Sequence, residues 1–145
     1  MRIAFAGIAA VGILLAGTAH AKTIVVHMKN AGAAGAMVFE PALIKADVGD
    51  VVRFVPADPG HNAQTIDGML PAGVPPSGGK VNQAFDLKIT KPGFYGVKCL
   101  PHYSMGMVAL VKAGGGPAPN AATAKAAKLP PLAARRMMPM LNSAK

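Results

Sequence analysis

Cys99 is the only cysteine of the 145-residue chain, and it lies in the stretch KCLPHYSMGM at residues 98–107 with the spacing Cys-x2-His-x4-Met. A thiolate, an imidazole and a thioether this close in sequence can converge on one ion if the segment between them is a tight loop. Pro101 favours that, because it fixes its own φ and pushes Leu100 toward extended geometry, which limits how far the loop can relax. A lone cysteine has three readings: a buried, inert apolar residue, an intermolecular bridge, or a functional thiolate held by a metal or a catalytic neighbour. The histidine and methionine beside Cys99 favour the third.

One more ligand is needed. His20 belongs to a segment that reads as a removable leader, and His27 sits in an alternating strand where it is an ordinary residue. His61 remains; it follows Asp58-Pro59-Gly60 after an apolar strand and suits a ligand brought in from a neighbouring strand. Two imidazoles and a thiolate with a weak axial methionine are the ligand set of a blue-copper electron-transfer site, whereas a structural zinc site would leave Met107 idle. Two other functions compete. A hydrolase would use Cys99 as nucleophile, His102 or His61 as base and Asn62 as orienter, but such a cysteine is usually activated at a helix N-terminus or beside an oxyanion hole. A copper storage or delivery protein would use the same soft ligands, and the methionine-rich RRMMPM at residues 135–140 suits it.

The elements that must position these residues follow from the pattern. Residues 1–21 read as a secretory signal peptide: Arg2, an apolar run at residues 3–17, and the small-x-small site Ala19-His20-Ala21. Export would place the mature chain, from Lys22, in an oxidising compartment where ligation protects a single thiol. Short alternating or apolar runs at residues 22–28, 51–55, 84–90, 94–99 and 107–111, separated by Gly, Pro, Asn and Asp, predict an antiparallel all-β sandwich or barrel with Greek-key connections over residues 22–113. The strand ending at Cys99 and the strand beginning at Met107 then share one end of a sheet. After the Gly114-Gly115-Gly116-Pro117 linker, residues 121–128 and 132–138 predict short helices packed on the sandwich, with Pro139 ending or kinking the second.

The segments VVHMKN, GAMVFEPALIKADVGDVVRFVP, GHN and KCLPHYSMGMVALV resemble the cupredoxins, the type 1 blue-copper proteins. The resemblance covers essentially the whole mature chain. It implies an eight-stranded Greek-key sandwich with a short C-terminal helical extension, and one copper ion held by His61, Cys99, His102 and Met107. It implies that Asn62 ties the two ligand-bearing loops together and that its backbone amide donates to the Cys99 sulfur. It further implies that His102 lies nearest the surface, ringed by Met37, Pro101 and Met105 as an apolar docking face. A periplasmic, non-enzymatic electron carrier serving denitrification enzymes, copper nitrite reductase above all, is the function it suggests.

Fifteen Lys and Arg against six Asp and Glu give a formal charge of +9, which falls by one if Arg2 leaves with the leader. Export and the lack of a basic stretch interleaved with aromatics argue against nucleic acid, and the apolar run falls short of the roughly 20 residues of a spanning helix. The charge is expected to steer encounter with an acidic redox protein, with Lys29, Lys80 and Lys98 as the ring around the docking face. The loop before His61 offers no lysine, and Lys125, Lys128, Arg135 and Arg136 place positive charge in the tail. A monomer without stable membrane insertion is expected.

Overall fold

A computed structural model describes residues 20–144. The expected leader at residues 1–21 lies outside them except for His20 and Ala21. Eight strands form two four-stranded sheets: β1 (Thr23–Gly32), β2 (Gly35–Glu40), β3 (Leu43–Ala46), β4 (Val51–Pro56), β5 (Gln64–Thr65), β6 (Phe85–Lys88), β7 (Gly93–Lys98) and β8 (Val108–Ala113). One sheet has the order β2-β1-β4-β6 and the other β3-β8-β7-β5. Among the described residues no helix is long and apolar enough to cross a membrane.

The sequence pattern predicted an antiparallel arrangement, and four strand pairings are antiparallel. The other two, β1 with β4 and β3 with β8, are parallel. The cause is the chain path. β2 and β3 are separated only by Pro41 and Ala42 yet lie in different sheets, so the chain crosses the sandwich there, and parallel neighbours require such crossovers.

Period-two burial builds the space between the sheets. Val26 and Met28 from β1, Phe39 from β2, Val52 and Phe54 from β4, and Leu87 from β6 meet Tyr95 and Val97 from β7 and Ala109 and Val111 from β8. Phe39 and Phe54 pack edge to face with centroids 5.3 Å apart, a favoured aromatic geometry. Cys99 and Met107 lie in this same cluster, so the donor loop is anchored in the main core.

β7 and β8 are buried on both faces, because two helices, α1 (Ala121–Ala126) and α2 (Pro131–Ser143), cover the outer side of their sheet. Ala133, Met137 and Leu141 recur at four-residue spacing on α2 and pack with Phe94, Val108 and Leu110. Of the two effects expected of Pro139, an end or a kink, the end does not occur: α2 runs through it to Ser143. Pro139 removes one helical hydrogen bond and adds a clash, together costing about 3 kcal/mol. Burial of Leu141 beyond it, worth about 1.5–3 kcal/mol, holds the last turn down. Met137 is fully buried in this interface and is a packing residue.

Asn120, just before α1, covers an open stretch of β7. Its Oδ1 accepts from the Phe94 amide at 2.8 Å and its Nδ2 donates to the Phe94 carbonyl at 2.9 Å, standing in for a strand where β5 does not reach.

At the N-terminal edge, the buried Asp50 carboxylate accepts from the amides of Asp47 at 2.8 Å and Lys22 at 3.0 Å, with Lys22 Nζ 3.3 Å away. These donors, the Asp47 amide foremost, hold its carboxyl below the usual carboxylate range. A depressed folded-state value means the stabilisation is present above the unfolded value of about 4 and disappears as pH falls through the folded one. Asp50→Asn is therefore expected to lower Tm at neutral pH and to flatten the acid limb of a calorimetric Tm-against-pH profile. Parallel profiles for the two proteins would exclude this role.

Candidate metal centre

The donor loop is closed by its own backbone. β7 delivers Cys99, whose amide donates to the Met107 carbonyl at 3.0 Å, and the His102 amide donates back to the Cys99 carbonyl at 3.2 Å. A single 3-10 turn, Tyr103–Met105, ends at Gly106 with φ +87°, and the Met107 amide then returns to the His102 carbonyl at 3.2 Å. Gly106 is required twice. Its backbone is left-handed, and an added Cβ would lie 3.0 Å from the Leu132 carbonyl of α2.

His61 arrives from the loop between β4 and β5. Its carbonyl accepts from the Asn82 amide at 2.8 Å, and its ring Nε2 lies 2.9 Å from Asn30 Oδ1 on β1. That contact assigns the proton to Nε2 and leaves the Nδ1 lone pair facing Cys99, as a ligating histidine requires. Asn30 is itself pinned, its amide donating to Asp58 at 2.7 Å.

Three donor atoms meet. His61 Nδ1 and His102 Nδ1 are 3.1 Å apart, and Cys99 Sγ lies 3.7 Å from the first and 3.6 Å from the second. The nearest point equidistant from all three lies about 2.0 Å from each, a metal–nitrogen bond length and slightly less than a metal–sulfur bond of about 2.3 Å. His61, Cys99 and Met107 are fully buried, while His102 is partly exposed.

The electrostatics fit a cation. Burial pushes the Cys99 thiol up, and the backbone amides of Asn62 and His102 donate to its sulfur and oppose that rise. Burial, then the neighbouring His102, hold His61 below the usual histidine value, while Asp58 opposes them. A neutral imidazole and a thiolate that is costly without a positive partner are the state a soft metal stabilises. The buried thioether of Met107 at the same pole suits copper better than zinc.

Asn62 bridges the ligand segments by its side chain. Oδ1 accepts from the Leu100 amide at 2.7 Å, and Nδ2 donates to the Gly79 carbonyl at 3.0 Å and to Gln64 Oε1 at 3.2 Å. Among the described residues its side chain hydrogen-bonds to neither histidine, so the Cys-His-Asn arrangement of a hydrolase is not assembled, and a fully buried thiol at a strand end is a poor nucleophile.

Around the exposed edge, Pro101 and Met105 are exposed, while Met37 is partly buried with φ +51°. Leu100, 57 % exposed against 44 % for Met105, is an exposed apolar side chain on the loop that the sequence-derived face left out, although it lies within KCLPHYSMGM. Val81, next to Asn82 whose amide holds the His61 carbonyl, is exposed as well. Lys98 Nζ lies 4.9 Å from the Tyr103 ring, and Lys80 is exposed. Lys29 is ion-paired with Glu40, so its charge is locally cancelled. Asn30 had no local signal, because its role depends on which strand lies beside His61.

A two-sheet sandwich carrying two imidazoles, a buried cysteine sulfur and a buried thioether at one pole defines a small type 1 copper electron carrier. Residues 26–114 match the copper binding proteins of the plastocyanin/azurin type. The chain is 49 % identical over 132 residues to pseudoazurin of Paracoccus pantotrophus, covering 91 % of this chain and 90 % of that one. It superposes on the crystal structure of pseudoazurin from Methylobacterium extorquens AM1 with a TM-score of 0.81 at 41 % identity, covering 85 % of this chain and 99 % of the other. Native pseudoazurin from Hyphomicrobium denitrificans gives a TM-score of 0.79 at 37 % identity, over 85 % and 98 % of the two chains. The chain belongs to the plastocyanin/azurin family of copper-binding proteins and, within it, to the pseudoazurins.

Proposed function

We propose that the protein is a periplasmic one-electron carrier in which His61, Cys99, His102 and Met107 hold a single copper ion, and that it delivers electrons to an acidic partner of the copper nitrite reductase type. The observation that carries this reading is the donor triangle with edges of 3.1, 3.6 and 3.7 Å, three-sided in burial and open only at His102. Bound copper supplies the Cu(I)/Cu(II) couple. The chain supplies a loop closed on itself by backbone hydrogen bonds, so the donors shift little between oxidation states. His102 offers the short route to the surface, and Leu100, Pro101 and Met105 exclude water from a docked partner there. In this reading residues 1–21 are removed on export, residues 22–113 form the copper domain and residues 114–145 are its packed extension.

Adding Cu(II) to the purified mature protein is expected to produce a thiolate-to-copper band that ascorbate bleaches and air restores. A colourless protein would end the proposal. Fractionation of cells expressing the full chain tests the compartment, with the processed form expected in the periplasmic fraction.

Steering rests on Lys80 and Lys98, because Lys29 is paired. Lys98→Glu is expected to slow transfer to an acidic partner roughly three- to tenfold at low ionic strength and to weaken the salt dependence, read by stopped-flow. Equal rates at every salt concentration would remove the steering role.

A further inference from the structure

The guanidinium of Arg136, midway along α2, is spent on backbone carbonyls of two distant segments. It donates to Met37 at 2.8 Å and Ala36 at 2.9 Å on β2, and to Gly106 at 3.0 Å on the donor loop. Gly106 immediately precedes Met107, and Met37 is packed against the cluster that contains Cys99 and Met107. Among the described residues no carboxylate pairs with Arg136 within salt-bridge distance, so these carbonyls are its partners. Met37 and Gly106 both have left-handed backbones, at φ +51° and +87°. For Met37, which carries a Cβ, that conformation persists only when its surroundings hold it. A planar fork with five fixed donors can satisfy three carbonyls at once; an ammonium on a flexible stem cannot hold the same geometry.

We propose that Arg136 is a positioning residue for the metal site: its fork joins α2, the β2 segment at Met37 and the loop bearing Met107 into one rigid unit, which sets where the thioether stands. The helical extension thereby takes part in the metal site as well as covering the outer face of the second sheet. This rests on Met107 serving as a ligand.

The test uses Arg136→Lys and Arg136→Met in the mature protein, each measured copper-free by amide hydrogen exchange and copper-loaded by visible spectroscopy. The expected result is exchange about tenfold faster at the Gly106 and Met107 amides in both variants, with amides of β1 and β4 unchanged, and altered relative intensities of the thiolate-to-copper bands in both. If Arg136→Lys keeps wild-type exchange and spectrum while Arg136→Met does not, charge and not the fork is responsible, and the proposal falls. It falls equally if both variants lose thermal stability with loop exchange and bands unchanged, the signature of a structural pin. Wild-type protein that takes up no copper would remove the ligand reading itself, and exchange in the copper-free chain would still decide whether Arg136 holds the loop.

Discussion

Cys99→Ser is expected to abolish the visible band of the copper-loaded protein and to reduce electron transfer to below detection. The side chain it replaces is fully buried, and its sulfur lies 3.6 and 3.7 Å from the two imidazole nitrogens. Serine preserves shape but offers a hydroxyl that stays protonated at neutral pH, so the soft anionic donor is lost and Cu(I) loses its preferred partner. The fold tolerates the change, because the loop is closed by backbone bonds of Cys99 and the amides of Asn62 and His102 can donate to oxygen as they do to sulfur. Circular dichroism is therefore expected to be unchanged while the colour disappears. A coloured Cys99→Ser protein would show that another group provides the anionic ligand.

Asn62→Ala carries the second large effect, and on stability. The side chain is buried and makes three hydrogen bonds, to the Leu100 amide, the Gly79 carbonyl and Gln64. Truncation leaves at least two backbone groups unpaired in a confined site, with an expected cost of roughly 2–4 kcal/mol. For a domain of this size, at about 4 °C per kcal/mol, that corresponds to a fall in Tm of about 8–16 °C. The backbone amide that donates to Cys99 survives in alanine, so the band should remain while the reduction potential shifts, since the loop beneath Leu100 is no longer tied to the His61 segment. Calorimetry on copper-free and copper-loaded protein reads the first effect and voltammetry the second. A Tm within about 2 °C of wild type would show that water replaces the lost side chain without cost.

Much of the metal centre was legible before any fold was known. Cys99, His102 and Met107 lie within one loop, and local sequence alone places such residues near one another. The strands carrying the core could be read from alternation, as in Ile24, Val26 and Met28. β2, β3 and β5 were not assigned from local pattern. β5 has two residues, β2 turns back on β1 across Ala33-Ala34 without the Asn-Gly or Gly-first pair that usually marks such a hairpin, and β3 begins just past a sheet crossing. The parallel pairings were missed for the same reason, since partner choice is set by how the sheets close over a shared core. The extent of α2 was missed because proline propensity is local, whereas the burial of Leu141 that opposes it comes from a sheet formed earlier in the chain.

By itself the sequence determined the donor types, their order in the loop, the apolar periodicity of the strands and the positive charge. The tertiary structure decided how close His61, already singled out from the sequence, comes to Cys99 and His102, which tautomer Asn30 imposes on it, that Lys29 is cancelled by Glu40, and that Arg136 spans to residues about a hundred positions away. The division has one physical cause. Side-chain chemistry and short-range geometry are properties of neighbouring residues, while ligand completion, burial and charge pairing depend on distances between segments that only the packed sheets bring together.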